Sequence, residues 1–232
     1  METSIPTFTP DWTPRGRMTI SVYVNGPIET NTYVAVSGGE AVVIDPAWDG
    51  EALAERLRSE HPDAKLKGII CTHGHADHVG GVAGMRRAFP GVPFYLSEPD
   101  VPMVDANIAH QRSSWGIDTP HPGMPDCLLA EGDVIAVGDV QLQALATPGH
   151  TPGGMTLFAA TEEGPVAFVG DTLFPGSHGR TDLVGGDDVA ILQSLAKLGT
   201  ALPPATLCLI GHGSSTTIGQ ELATNPFMEG VR

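Results

Sequence analysis

The chain is short of cysteine and of basic side chains, and no long hydrophobic run interrupts it. Only Cys71, Cys127 and Cys208 occur, with no CxxC pair, which argues against a disulfide framework. Cys71 and Cys208 lie in or beside apolar runs, where small buried thiols are ordinary. Twelve Lys and Arg stand against 27 Asp and Glu, for a formal charge of -15. Such a field repels phosphate backbones and anionic lipid, so neither nucleic acid nor a membrane is an expected partner. A local site can still take an anion, because bound cations invert the local potential. No apolar run approaches the roughly 18 residues that span a bilayer. Met1 to Trp12 lacks the basic flank and apolar stretch of a signal peptide, so a soluble, cytoplasmic chain is expected.

What is present suffices for one core. A chain of 232 residues, 41% of them hydrophobic, buries roughly 70% of the surface its unfolded form exposes. The 29 glycines and 20 prolines are spread between apolar runs, as tight connections require. Residues 1–17 read as an N-terminal lead, flexible in part, and 18–232 as one domain.

Strand patterns cover Met18 to Val24, Asn31 to Ser37, Ala41 to Asp45, Leu66 to Cys71 and Val92 to Leu96. They resume at Val134 to Val137, Gln141 to Thr147, Gly154 to Ala159, Pro165 to Gly170 and Thr206 to Ile210. Glu51 to Glu60, Val79 to Phe89 and Asp188 to Leu198 carry helical spacing. From Glu98 to Asp126 the pattern weakens into a Pro-rich stretch with one short helix, around Val104 to Arg112. A connection that long reads as a functional cover over one face. In it Met103, Ile108, Trp115 and Ile117 either line an apolar pocket or pin the insert to the body, and Arg112 meets a substrate carboxylate if it points inward. Short buried strands and one-sided helices together predict an α/β sandwich of two packed sheets with helices outside.

The chemistry concentrates in Thr72-His73-Gly74-His75-Ala76-Asp77-His78-Val79-Gly80-Gly81. Three imidazoles and a carboxylate so close together are hard to reconcile with core packing, because each ring needs its own polar partner away from water. Neutral imidazole and carboxylate are suitable ligands for zinc or a related first-row ion. In extended chain His73 and His75 point the same way, and Asp77 and His78 face a neighbouring position as the chain turns into a helix. His150, Asp171 and His212 also follow strands, but each alone reads equally well as a structural histidine or a turn carboxylate.

The ordered set THxHxDHxGG at 72–81, TPGHTPGG at 147–154, GDTLF at 170–174 and GHG at 211–213 resembles the metallo-β-lactamase superfamily, in particular its short-chain glyoxalase II-like branch. The likeness runs from Asn31-Thr32-Tyr33 and Ile44-Asp45-Pro46 to Asn225-Pro226-Phe227. It implies an αββα sandwich of two mixed sheets with helices on both outer faces and two metal ions along one sheet edge, making 18–232 the catalytic domain. By the same resemblance His73, His75 and His150 hold one ion, Asp77, His78 and His212 the other, and Asp171 bridges them. Asp77 and Asp171 are the carboxylates to which a catalytic part is assigned. Zinc is the first expectation for both ions, with iron or manganese compatible with these donors.

The activity so implied is hydrolysis of a thioester or related acyl bond in a small-molecule substrate by a metal-bridging hydroxide. The segment Gly170 to Asp182 also resembles persulfide-dioxygenase-like proteins, which makes iron-dependent oxidation of glutathione persulfide the alternative enzyme. A non-catalytic metal-binding or ligand-binding protein is the alternative outside enzymology. His178 falls at a variable position of that segment, outside the implied ligand set. Glyoxalase II carries an added helical domain that supplies much of its glutathione-binding surface; with 20 residues after His212, none is expected here.

Overall fold

Runs of β-branched and apolar residues bounded by Gly, Pro and Asp form two six-stranded sheets in the computed structural model, which describes residues 8–231. In the first sheet β1 (Thr19–Asn25), β2 (Thr30–Ser37), β3 (Glu40–Ile44), β4 (Lys65–Ile70), β5 (Phe94–Ser97) and β6 (Cys127–Leu129) lie in chain order. The first three pair antiparallel, and β3 to β6 are parallel. Parallel neighbours need crossovers. These are α1 (Gly50–Glu60), the pair α2 (Ala76–Val79) and α3 (Val82–Ala88), and α4 (Val104–Trp115).

The second sheet begins as an antiparallel meander of β7 (Val134–Val137), β8 (Val140–Ala146), β9 (Met155–Thr161) and β10 (Gly164–Gly170). A small hairpin, β11 (Leu173–Phe174) with β12 (Ser177–His178), then precedes α5 (Asp188–Ala201). Beyond it β13 (Leu207–Ile210) runs parallel to β10, with β14 (Thr216–Thr217) at its edge and α6 (Ile218–Thr224) following. Among the described residues no helix is long and apolar enough to cross a membrane.

Strand alternation sorts the side chains into three apolar layers. Val42, Ile44, Ala35 and Ile70 of the first sheet meet Leu142, Ala144, Leu157 and Phe168 of the second in the middle layer. Their neighbours Val34, Ala41, Val43 and Ile69 point outward beneath Leu53, Leu57, Val82 and Met85 of the helices. On the far side Leu145, Phe158, Ala167 and Val169 lie beneath Leu195, Leu198 and Ile218. Both faces of the central strands are thus buried, which is why they read as continuous apolar runs. This is the expected αββα sandwich.

Three local features depart from the sequence reading. The single helix expected over Val79 to Phe89 is two, broken at Gly80 and Gly81, where the chain presses on the loop after β3. Gly81 N donates to Pro46 O at 2.6 Å, and a Cβ on Gly81 would stand 2.7 Å from that oxygen. In the insert a 3-10 turn (Glu98–Met103) precedes α4, which runs past Arg112 to end at Gly116, φ 68°. β6, the β11–β12 hairpin, β14 and α6 carry too few residues to show a period. The looseness expected of the lead falls partly on residues 1–7, outside those described. Beyond them Asp11 exchanges two hydrogen bonds with Gln143, at 2.6 and 2.8 Å, and Trp12 Nε1 donates to Ala201 O at 3.0 Å.

Because Phe158 is wholly buried under α5, Phe158→Ala is expected to cost about 3–5 kcal/mol. Exposed Leu192→Ala, on the same helix layer, should stay within about 0.5 kcal/mol. Denaturant unfolding of the two variants checks this; equal losses would contradict the layered core.

Candidate metal centre

Four separate chain segments deliver the candidate ligands to one edge of the sandwich. His73 and His75 follow β4, Asp77 and His78 lie on α2, His150 sits between β8 and β9, Asp171 follows β10, and His212 follows β13. Their donor atoms form overlapping groups, each within 4.8 Å: His73, His75 and His150; His73, His78 and Asp171; Asp77, His78 and His212. His73 Nε2 stands 3.2 Å from His75 Nδ1, and the His150 ring lies 4.5 Å from that of His75. His212 Nε2 lies 3.1 Å from Asp77 Oδ2. Asp171 stands between the groups, with Oδ1 3.5 Å from His78 Nε2 and Oδ2 3.5 Å from Nε2 of both His150 and His212. Gly211 makes room for it, since a Cβ there would overlap Asp171 Oδ1.

The outward nitrogens are held in place. His150 Nδ1 donates to Arg180 O at 2.7 Å and His212 Nδ1 to Ile28 O at 3.2 Å, so in the neutral form of each ring the lone pair falls on Nε2. His73 Nδ1 lies 3.0 Å from Thr72 Oγ1, while Asp45 Oδ2 stands 3.0 Å from His78 Nδ1 as a neighbouring charge without hydrogen-bond geometry. Partners of this kind orient metal-binding imidazoles and fix their tautomers.

Facing inward, Nε2 of His78, Nε2 of His150 and Oδ1 of Asp171 are buried with no hydrogen-bond partner among the described residues. Buried polar atoms are rarely left so, and divalent cations would satisfy all three. The electrostatics agree. Burial, then the neighbouring imidazoles, holds His73 well below the ordinary histidine range, and burial with His150 takes His75 to about 3. Both are neutral, with lone pairs available. Burial also opposes charge on His78, but Asp171, Asp45 and Asp77 outweigh it and push that ring up to about 10. Burial raises Asp77, yet His78 and His212 bring it below the usual carboxylate range. Three carboxylates crowded on one imidazole mark a site that lacks positive charge. The donors present therefore fit two divalent ions, zinc, iron or manganese.

Two supporting residues escaped the sequence reading. Asp45, noted there only as a strand end beside Pro46, adopts a left-handed φ of 51° and accepts from Thr72 N at 2.7 Å and Thr72 Oγ1 at 2.8 Å. Asp100, inside the Pro-rich insert, is fully buried and accepts from Gly74 N at 2.7 Å, Thr151 Oγ1 at 2.8 Å and Gly153 N at 2.6 Å. It joins the loop of His73 and His75 to the loop of His150. A carboxylate at a buried strand end was the available signal for Asp45; no motif pointed to Asp100.

A cavity of about 170 Å³ opens beside His75 and Asp77, walled by α4 and by the loop around Arg180 and Val184. Of the insert residues expected there, Trp115 lines it, while Met103, Ile108 and Ile117 do not. Ile108 packs on the outer core instead. Arg112 points away, paired with Asp118 at 3.0 Å, and Arg180 takes the cationic place on the wall, bound to Asp182 at 2.6 and 2.8 Å. His178 lies outside all three donor groups, its ring edge-on to Phe227 at 4.3 Å.

A family model described as the metallo-beta-lactamase superfamily matches residues 25–212. The chain belongs to this superfamily. The protein of Haemophilus influenzae named hydroxyacylglutathione hydrolase GloC is 35% identical, over 81% of this chain and 87% of its own. The crystal structure of the BLEG-1 B3 metallo-beta-lactamase aligns with a TM-score of 0.81 at 35% identity, covering 91% of this chain and 100% of that one. TTHA1623, solved in a di-iron-bound form, aligns at 0.79 with 38% identity, covering 89% and 99%. These superfamily relatives share one architecture under differing names, so the branch is a separate question from the fold.

Asp100→Ala leaves three buried donors without an acceptor and unties the two histidine loops. Metal affinity, measured by competition with a chromophoric chelator, is expected to fall about 10–100-fold. Wild-type affinity in a folded Asp100→Ala protein would remove Asp100 from the support of the centre.

Proposed function

We propose that the chain is a glyoxalase II-like metallo-hydrolase that cleaves a thioester or related acyl bond of a small-molecule substrate. The observation that carries this reading is Asp171, whose carboxylate stands 3.5 Å from His150 on one side and 3.5 Å from His78 and His212 on the other. A carboxylate so placed can serve two ions at once. In this assignment His73, His75 and His150 hold one ion, Asp77, His78 and His212 the other, and Asp171 bridges. Two bound divalent ions, zinc by first expectation, would lower the pKa of a shared water and polarise the acyl carbonyl.

The chain's own residues set the conditions for that chemistry. Asp77 and Asp171 supply negative charge that would hold both cations at the edge, and Thr30 Oγ1, donating to Asp77 Oδ2 at 3.2 Å, fixes the first of these carboxylates. The buried rings exclude bulk water from one side, and the cavity under α4 leaves the other open to a small acyl group. In the overall reaction water oxygen bonds to the acyl carbon, the carbon–sulfur bond breaks, and the thiolate leaves with the electron pair. A thiolate needs less protonation than an alkoxide or amine, so no dedicated acid is required.

Iron-dependent oxidation of glutathione persulfide is a second reading; that the related TTHA1623 was solved in a di-iron-bound form makes iron a metal to test here. Metal analysis with a substrate panel separates the two. The expected result is two ions per chain, with kcat/KM for acyl thioesters above that for β-lactams and phosphodiesters. A single iron, with oxygen consumed on glutathione persulfide and no thioester turnover, would establish the second reading.

Asp171→Asn removes the anionic bridge and is expected to lower activity by orders of magnitude and to reduce metal content. His178→Ala should keep its metal and at least part of its turnover. Metal content and steady-state kinetics on both folded variants test the assignment, which fails if the two behave the other way round.

A further inference from the structure

Helix α4 presents Val104, Asn107 and Gln111 along one buried face, at positions i, i+3 and i+7. Packing alone asks for apolar residues there, yet two of the three are amides. Asn107 has a structural task, since its Nδ2 donates to Gly74 O at 3.1 Å, beside His73 and His75. Gln111 has half of one. Its Oε1 accepts from Thr119 Oγ1 at 3.1 Å, which orients the amide, and its Nε2 is buried with no partner. The residue is 4% exposed and lines the cavity that also borders His75 and Asp77. A closed-off donor without an acceptor is costly in a resting protein and is relieved when an oxygen enters beside it.

The surroundings narrow the class of that oxygen. Arg180 is the cation on the cavity wall, and Asp182 already holds it with two hydrogen bonds. Asp77 and Asp182 add negative charge to the same wall. Apart from the imidazoles of His75 and His110, the wall offers a free carboxylate no unpaired side-chain cation, whereas a neutral carbonyl oxygen finds a neutral donor in Gln111. Trp115, 54% exposed one turn further along α4, offers a flat apolar surface to the carbon atoms around that oxygen.

We propose that Gln111 is a specificity-determining residue that donates from Nε2 to a neutral oxo or amide oxygen in the acyl part of the substrate. This rests on the acyl-hydrolase reading above. It assigns the acyl group to the cavity under α4, with the thiol part outside.

The experiment compares N-acetylcysteamine thioesters of 3-oxobutyrate, butyrate and succinate in wild type, Gln111→Leu and Gln111→Glu, each at verified metal content. The kcat/KM ratio of 3-oxobutyryl to butyryl is expected to fall about 3- to 10-fold in Gln111→Leu, the worth of one neutral hydrogen bond. It should fall further in Gln111→Glu, which puts an acceptor against an acceptor. Taking ratios cancels differences in intrinsic reactivity and any general loss from altered packing. A ratio unchanged in both variants overturns the proposal, and so does a dependence on Gln111 confined to the succinyl ester. If wild type hydrolyses none of the three, the acyl-hydrolase reading fails. Calorimetry with 3-oxobutyrate and butyrate then tests Gln111 directly: equal affinities in wild type overturn its role, and a preference lost in Gln111→Leu sustains it.

Discussion

Negative charge gathered at one sheet edge is the constraint on which the rest of this structure depends. Asp45, Asp77 and Asp171 converge on His78, and among the described residues no lysine or arginine stands beside that ring to offset them. Carboxylates buried this closely are tolerable only beside cations, whether an imidazolium or metal. The three carboxylates push His78 above the ordinary histidine range, and the surroundings that favour a proton on this ring would equally favour a divalent cation beside it. The acidic chain as a whole, at -15, adds a field of the same sign. Cation capture and anion avoidance follow from one distribution of charge.

The fold serves that edge by ending its strands there. β4 and β10 lie at or near the centre of their sheets, buried on both faces, and neither can shift without disturbing two apolar layers. The candidate ligands sit just past such strands, in turns or on the short helix α2, where direction can change sharply. Rigid strands set position, and short hydrogen-bonded turns set aim. Asp45 shows the cost of the second task. It holds a left-handed backbone outside glycine, a conformation that persists only where surroundings over-determine it. Its two bonds to Thr72, and its contact with His78, supply that over-determination.

Much of this was legible in the sequence, for physical reasons that differ by element. The long strands β2, β9 and β10 bury both faces, so their composition alone marks them. The histidine cluster at 73–78 was legible because packing could not account for so many polar rings in one turn. His150, Asp171 and His212 were ambiguous one at a time; their meaning is spatial, and it was the ordered motifs that joined them. Asp100 was not legible at all. Its partners, Gly74, Thr151 and Gly153, are 26 to 53 residues away and contribute mostly backbone, which leaves no trace in residue type. The expectation for Arg112 failed for a related reason. A nearby acid, Asp118, takes the guanidinium, and local pairing of that kind competes with any inward orientation.

The insert between β5 and β6 therefore does two tasks that the sequence reading had merged into one cover. Its first turn carries Asp100, which is tied to the loops of His73, His75 and His150; its helix carries Gln111 and Trp115, which face the cavity. Because the turn and helix are continuous, a change of residue on the helix face leaves the Asp100 clamp in place, whereas a change of insert length moves both. Substitution within α4 is then the route by which the cavity wall can vary while the candidate metal centre is preserved. Insertion or deletion there would alter both together, because the clamp and the cavity wall share one piece of backbone.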